Sequence, residues 1–377
     1  MNIKKIAALL CAVFIFNYAL AYRPYSFLIS GAKNAGFAGA CSASVEDADA
    51  AASNPAALVQ IEKRNLFYEF DATMRIERIQ FDRKLKIIFD QLAYAGFLLP
   101  VIPRQHIISG VFLSSLFMAN GAGKNQFNVK QAAAIWSMPL LDNLSFGLAA
   151  GVAAGYEDRI FVFSPSFQAG FLYKPIGKLR IGLYGQAPLY FKWNTYRGGA
   201  VEELTPFQAK LGGQYRIGDV KKGKLDISAY LNLDLGYQGW DFSWYQKNGV
   251  YEYFDTGSHF FNFGQNINPH ISIIIHEKHR TGGRFSLGFM TEPYYENDGS
   301  YRIMGSLTIG ATAGVFKEVV VLKEVNKTAE GVETRVETEP REIIRFNGSI
   351  IDRLIPRLMG FDNVPIETIK ISAIVMF

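Results

Sequence analysis

The chain has 377 residues, of which 49% are hydrophobic and 14% aromatic, with 35 glycines and a formal net charge of +5. This composition suits a membrane protein or a very large core. The cationic residues are spread along the chain rather than clustered, which argues against a nucleic-acid partner. Beyond the first 21 residues, the longest apolar stretches are shorter than the roughly 18 to 20 residues that a transmembrane helix needs.

The first residues have the pattern of a secretory signal peptide. Lys4 and Lys5 form a positive region, residues 6–16 are apolar, and Ala19-Leu20-Ala21 is a small-x-small cleavage site. We therefore predict a signal peptide over residues 1–21. Its removal takes away Cys11 and leaves Cys41 as the only thiol of the predicted mature chain, so no intramolecular disulfide is expected.

Residues 22–64 are rich in small side chains. The stretches "SGAKNAGFAGA" and "DADAAASNPAAL" contain too few large residues to build a core and are too apolar for a flexible linker. An Asn-Pro pair within the second stretch, Asn54-Pro55, can form a tight turn whose amide satisfies buried backbone groups.

The rest of the chain, residues 65–377, alternates apolar and polar residues over lengths that cross a membrane. In "LDISAYLNLDLG", leucines such as Leu231 and Leu233 share one parity, and Asn232 and Asp234 share the other. Such strands predict an all-β fold, a transmembrane antiparallel β-barrel of about fourteen strands. A soluble β-sandwich is the alternative, but its strands are usually shorter. The predicted strands are 66–74, 89–98, 106–118, 128–138, 143–155, 165–174, 179–187, 205–216, 225–236, 267–276, 283–290, 301–314, 341–350 and 367–377.

The predicted connections alternate between short turns and longer loops, as expected for the periplasmic and outer sides of such a barrel. Residues 237–264 form an aromatic-rich outer connection, which either captures an apolar ligand or forms an aromatic girdle with self-packing. The candidate ligand-capture residues are Trp240, Phe242, Trp244, Tyr245, Tyr253, Phe254, Phe260 and Phe261. Residues 316–340 are expected by parity to be a turn, but they are long and charged enough to contain a hairpin instead.

The last predicted strand alternates and stops at an aromatic residue. Ile369 and Ile371 share a parity with Phe377, while Lys370 and Ser372 share the other. A terminal Phe on such a strand resembles the signal that outer-membrane proteins present for barrel insertion. The outer-membrane assembly machinery is therefore an expected partner.

Catalytic and cofactor motifs are weak. The glycines of "GAKNAGFAGA" do not have dinucleotide-loop spacing, and "HEKH", residues 276–279, does not have the H-E-x-x-H spacing of a zinc site. No Ser-His-carboxylate set stands out among the five histidines. We therefore expect no enzyme activity, no cofactor and no metal.

The segment "GAKNAGFAGACSASVEDADAAASNPAALVQIEKRNLFYEF" resembles the N-terminal segment of FadL-type outer-membrane transporters of hydrophobic compounds. The matching positions are Gly36, Gly39, Ala40, Asp47, Asp49, Ala50, Asn54, Pro55 and Ala56. In that family the segment folds into the lumen as a hatch. The resemblance implies a small N-terminal hatch over residues 22–64, with Asn54, Pro55 and Ala56 as its motif, before a barrel over residues 65–377.

The resemblance also implies a function and a location. The first hypothesis is a channel of the bacterial outer membrane for passive uptake of hydrophobic small molecules, such as long-chain fatty acids, with the hydrophobic ligand or lipid as partner. The alternative is a non-transporting FadL-like barrel that serves as a secretion-complex or surface-attachment subunit. An apolar passage beside the hatch favours the first hypothesis, and a blocked lumen with a stable protein partner favours the second.

Overall fold

The computed structural model describes most of the chain beyond residue 39. The described ranges are 40–44, 50–60, 65–78, 85–102, 107–119, 126–157, 160–194, 200–204, 207–222, 225–239, 244–247, 250–253, 266–277, 281–295, 301–328, 331–352 and 366–376. The predicted signal peptide lies outside these residues. No helix within the described ranges has the length and apolar character needed to cross a membrane.

Eighteen strands are formed by the described residues. They are β1 (Asn65–Arg78), β2 (Leu85–Ile102), β3 (Ile107–Ala119), β4 (Gln126–Leu141), β5 (Leu144–Glu157), β6 (Ile160–Ile176), β7 (Leu179–Gln186), β8 (Tyr190–Asn194), β9 (Ala200–Leu204), β10 (Phe207–Lys222), β11 (Leu225–Gly239), β12 (Trp244–Lys247), β13 (Val250–Tyr253), β14 (Asn266–Glu277), β15 (Thr281–Tyr295), β16 (Tyr301–Thr328), β17 (Gly331–Asp352) and β18 (Ile366–Met376).

Fourteen of these strands form one antiparallel sheet in the order β1-β18-β17-β16-β15-β14-β11-β10-β7-β6-β5-β4-β3-β2. Because β1 pairs with both β2 and β18, this order returns to its start as a closed barrel. The predicted antiparallel all-β architecture is confirmed. The other four strands form a separate sheet in the order β13-β12-β9-β8, made from the two connections that join β7 to β10 and β11 to β14.

The two faces of the barrel wall differ in polarity as the alternation predicted. Leu231, Leu233 and Leu235 of β11 are 42–47% exposed, whereas Asn232 and Asp234 between them are 1% exposed. The same contrast holds at the other strands whose side chains are described, including β6, β15 and β17. The outer face therefore carries most of the large apolar side chains, and the inner face carries mainly small and polar ones.

Residues 316–328 and 331–340 are not a turn. They belong to β16 and β17, whose pairing runs from Leu307 and Asp352 to Thr328 and Gly331. The hairpin interpretation is confirmed and the turn interpretation is wrong. The physical reason is composition, because the run is rich in Val and Thr, which favour extended backbone.

Candidate functional site

The N-terminal segment, which we define as residues 40–44 and 50–60, contains a short helix, α1 (Ala50–Ser53), and a 3-10 helix, Pro55–Gln60. The alanines of α1 have high helix propensity. Pro55 starts the next helical turn because its fixed φ suits a first helical position and its missing N–H needs no partner there. Asn54 lies between the two helices, and its backbone N–H donates to the carbonyl of Ala50 at 2.8 Å.

Asn54 joins the two parts of the N-terminal segment to the barrel. It is 0% exposed. Its Nδ2 donates to the carbonyl of Ser42 at 2.7 Å and to the carbonyl of Phe171, on β6, at 3.1 Å. Its Oδ1 accepts the N–H of Ala56 at 3.1 Å. One side chain therefore satisfies three buried backbone groups, which agrees with the role expected for this amide.

Asp234 of β11 holds the first part of the N-terminal segment. Its Oδ2 accepts the backbone N–H of Ser42 at 2.9 Å and the Ser42 hydroxyl at 2.6 Å. Both residues are almost completely buried. Two hydrogen bonds to one buried carboxyl group make this pair a firm attachment.

Ser137 of β4 makes a second attachment. Its hydroxyl donates to the carbonyl of Pro55 at 2.5 Å. Ser137 is fully buried, as are Pro55, Ala56 and Ala57 in the 3-10 helix. The 3-10 helix contacts β4, β5 and β6, so the attachment is made where the segment packs closely.

A set of glycines gives the N-terminal segment room to approach the wall. A Cβ at Gly147 would overlap the backbone of Pro55 and Ala56, and one at Gly182 would overlap the carbonyl of Ser42. A Cβ at Gly170 would overlap Asn54 Oδ1. In the sheet register Gly147 lies opposite Gly170, and Gly182 lies opposite Gly212. These four positions on β5, β6, β7 and β10 form a cradle: Gly147 and Gly182 leave room for the segment's backbone, Gly170 for the Asn54 side chain, and Gly212 for the Asp234 side chain that holds Ser42.

The cradle faces the inside of the barrel. Residues next to it in sequence, such as Trp136, Leu148 and Leu183, are 38–46% exposed and carry the large apolar side chains of the outer face. The contacts of Ser137, Gly147, Gly182 and Asp234 with the N-terminal segment come from the opposite parity. The segment therefore lies against the inner wall.

The structure brings the predicted hatch motif together with the wall, since Asn54, Pro55 and Ala56 all contact it. Of the candidate ligand-capture residues, Trp244 and Tyr245 begin β12 and Tyr253 ends β13. Trp244 lies opposite Tyr253 on one side and Leu204 of β9 on the other. The remaining candidates, Trp240, Phe242, Phe254, Phe260 and Phe261, lie outside the described residues.

Sequence reasoning missed the wall residues that hold the segment. Asp234 was placed on the lumen parity, but no partner was assigned to it. A signal was present for the cradle, because Gly147, Gly170, Gly182 and Gly212 all fall on the inward parity of predicted strands. Small inward residues on successive strands indicate that another part of the chain comes close.

Within the described ranges, no cluster of His, Cys, Asp and Glu has the arrangement of a metal site.

No protein-family model and no curated protein matches the sequence. Among solved structures, the chain is similar to a Pseudomonas aeruginosa FadL homologue, with a TM-score of 0.59 and 12% identity over 92% of this chain and 98% of that one. The chain has the FadL-type fold.

Two further structures with the FadL-type fold agree. The monoaromatic hydrocarbon channel CymD matches with a TM-score of 0.58 and 10% identity, over 93% of this chain and 99% of that one. The Ralstonia pickettii toluene transporter TbuX matches with a TM-score of 0.56 and 11% identity, over 94% of this chain and 98% of that one. The resemblance seen over about 40 residues of sequence therefore extends to the fold of nearly the whole chain.

Proposed function

We propose that the protein is a channel of the bacterial outer membrane for passive uptake of hydrophobic small molecules, with long-chain fatty acids among the candidate solutes. In this proposal the fourteen-strand barrel spans the membrane and residues 22–64 form a luminal hatch. The observation that carries the proposal is the N-terminal segment attached by Asn54 and Asp234 to the inner wall of a FadL-type fold.

The outer face of the barrel supports a membrane location. Phe161, Phe163 and Phe167 of β6 are 51–67% exposed, and Leu231, Leu233 and Leu235 of β11 are exposed on the same face. A surface made of so many exposed large apolar side chains is unfavourable in water. In a bilayer the same side chains face hydrocarbon, while closed strand pairing satisfies the backbone.

The arrangement suits passage without chemistry. A solute that reaches the small sheet of β8, β9, β12 and β13 enters the barrel and moves past the hatch, which occupies the wall formed by β4–β7, β10 and β11. The attachments of Asn54, Asp234 and Ser137 keep the hatch in place while the solute passes. Passage by binding and release makes and breaks no covalent bond, so the proposal needs no cofactor.

We also propose that the outer-membrane assembly machinery recognises the C-terminal strand. β18 pairs with β17 and with β1, so it is the strand whose placement joins the two ends of the sheet. Recognition of this strand during insertion would therefore precede closure of the barrel.

The long hairpin favours the second candidate function, a non-transporting barrel in a larger complex. β15 pairs with β16 only as far as Val315, and β18 pairs with β17 only as far as Ile344. Beyond these residues, β16 and β17 pair only with each other within the described sheet. Because two-stranded ribbons are marginally stable alone, a partner protein would stabilise this one.

The test of the channel is a hatch deletion. Wild-type protein reconstituted in liposomes should speed the entry of an apolar dye, and deletion of Ala48 to Ala57 should raise both dye entry and ion conductance. The heat-resistant folded band should remain, because barrel stability comes from strand pairing in lipid rather than from hatch packing.

The matched control removes residues 320–338, which shortens the hairpin and leaves the hatch intact. Conductance and dye entry should then equal those of the wild type. A folded hatch deletion with unchanged conductance would refute the hatch. Loss of a co-purifying protein on hairpin deletion, together with no dye entry in the wild type, would favour the second candidate function.

A further inference from the structure

The inner wall formed by β15–β18 carries a group of buried polar side chains away from the N-terminal segment. Ser306 and Thr308 on β16 are 0% exposed, and Asn347 and Ser349 on β17 are 2% and 3% exposed. All four have the inward parity, since their neighbours Ile309, Phe346 and Ile350 are 44–52% exposed on the outer face.

These polar groups lack partners. Among the described residues, nothing hydrogen-bonds to the hydroxyls of Ser306, Thr308 and Ser349 or to Oδ1 of Asn347. Asn347 Nδ2, in contrast, donates to the Ser372 hydroxyl at 2.9 Å. Buried polar groups in folded proteins are usually paired, and each unpaired one is costly. Four such groups on two neighbouring strands indicate that a ligand or solvent completes them.

The sheet register arranges the four residues as a track along the wall. Ser349 lies opposite Gly310, Asn347 lies opposite Thr312, and Thr308 lies opposite Ile351. Alternate residues of a strand are roughly 7 Å apart, so neighbouring members of the track are within reach of one small molecule. Gly310 lies two residues from Thr308 on β16 and opposite Ser349 on β17. Because it has no side chain, the position between these two members of the track is open.

Apolar side chains lie beside one end of the track. Met290 of β15 lies opposite Ser306, and Ile351 lies opposite Thr308. Both are buried on the inner face, at 1% and 4% exposed. A hydrogen-bonding group on the track would therefore have an apolar surface next to it for the rest of the molecule.

We propose that this track, Ser306, Thr308, Asn347 and Ser349, binds the hydroxyl group of an otherwise apolar solute such as a long-chain alcohol or an alkylphenol. Asn347 Oδ1 only accepts hydrogen bonds, whereas serine and threonine hydroxyls both donate and accept. A ligand group that donates to Asn347 Oδ1 and also accepts from a serine or threonine hydroxyl uses the full hydrogen-bonding capacity of both kinds of atom. A hydroxyl does this, a hydrocarbon does neither, and a carboxylate does not donate.

Two arginines near the track do not change this assignment. Arg284 lies opposite Thr312, and Arg345 lies two residues from Asn347. Each of these arginines already has an interaction partner. The inference rests on the proposed channel function in one respect, which is that the solute reaches the site through the lumen. The binding site itself is defined by the wall residues.

The test measures binding by native mass spectrometry of the folded barrel with three probes of equal chain length: dodecan-1-ol, dodecane and dodecanoate. The wild type should bind dodecan-1-ol in preference to the other two. Thr308→Val and Ser349→Ala should each lower dodecan-1-ol binding about 2- to 10-fold and leave dodecane binding unchanged. The heat-resistant band checks that each variant folds.

Ser164→Ala is the matched control. Ser164 is a buried inward hydroxyl of β6, but it accepts the N–H of Tyr190 at 2.9 Å and donates to the carbonyl of Pro165 at 3.1 Å. Its removal should leave the preference for dodecan-1-ol unchanged.

Equal binding of the three probes, preferential binding of dodecanoate, or an unchanged preference in the Thr308→Val, Ser349→Ala double variant would overturn the proposal. Uptake of the same probes into liposomes separates it from the channel function. Preferential binding without any uptake refutes the channel and leaves the site standing. Uptake of all three probes without preferential binding refutes the site and leaves the channel standing.

Discussion

Two parts of the inner wall use the same inward parity for different purposes. On β5, β6, β7 and β10 the inward residues include four glycines that leave room for the backbone of the N-terminal segment and for the side chains of Asn54 and Asp234. On β16 and β17 the inward residues include serine, threonine and asparagine whose polar atoms have no partner among the described residues. The first wall is contacted by the N-terminal segment, and the described part of the chain supplies no partner for these polar atoms of the second.

The difference shows how one barrel can hold its own N-terminal segment on one part of the inner wall and present unpaired polar groups on another. A glycine removes side-chain volume, so a neighbouring backbone can fill the space and make close, specific contacts. A hydroxyl keeps some volume and adds hydrogen-bonding capacity, which a small molecule or water can use. Side-chain choice at alternate positions thus decides what each wall can bind.

The largest expected effect tests the inside–outside assignment on which both walls depend. Leu231→Arg places a charge on the outer face near the middle of β11 and should destabilise the assembled barrel by about 2 to 4 kcal/mol. Asn232→Arg, one residue away, points inward and should be tolerated better. Yield of the heat-resistant folded band in membranes measures the effect, and equal yields would contradict the barrel assignment for this strand.

The second prediction breaks the attachment of the first wall. Asp234→Ala removes the acceptor of two Ser42 hydrogen bonds and should weaken docking of the N-terminal segment by about 1.5 to 3 kcal/mol. Cys41, which is 4% exposed, reports release of the segment because a maleimide reaches its thiol only when the segment opens. Labelling of Cys41 in folded protein should therefore become faster.

Asp234→Asn is the control for this attachment. The amide keeps an oxygen that can accept from Ser42 but replaces the other carboxyl oxygen with an NH2 group, so Cys41 labelling should fall between the wild type and Asp234→Ala. Identical labelling rates in all three proteins would show that Asp234 does not hold the segment.

The third prediction fills the glycine cradle. Gly147→Ala adds a methyl group where the backbone of Pro55 and Ala56 lies, and overpacking of this kind costs about 1 to 3 kcal/mol. The segment should be displaced, so Cys41 labelling and ion conductance should both rise. Gly213→Ala is the matched control, because no atom lies within 4 Å of its added Cβ. A rise in the control as large as in Gly147→Ala would argue against the cradle.

The strands and their orientation were predictable from the sequence because both follow from a period of two. In β11 the alternation of leucines with Asn232 and Asp234 was enough to place one set outside and the other inside. The motif Asn54-Pro55 was predictable as a turn because each residue has a strong local preference. Local patterns of this kind need no knowledge of which strand lies next to which.

Partners across the barrel were not predictable in the same way. Ser42 and Asp234 are 192 residues apart in sequence, and only the closed strand order brings them together. The same is true of Thr308 and Ser349, whose relation depends on the register of the β16–β17 hairpin. The sequence did not decide whether this hairpin forms, because its Val-rich, charged residues fit both an extended ribbon and a solvated turn.

The smallest expected effect comes from two substitutions that each remove one hydroxyl, one from each wall. Their difference sharpens the comparison. Ser137→Ala deletes the donor to the carbonyl of Pro55 and should weaken docking of the segment by about 0.5 to 1.5 kcal/mol, with a matching rise in Cys41 labelling. Ser306→Ala deletes a buried hydroxyl that has no partner in the described part of the chain, so barrel stability should not fall and Cys41 labelling should stay unchanged. If Ser306→Ala released the segment as much as Ser137→Ala, the two walls would not be separate, because a change on β16 would reach a contact made on β4.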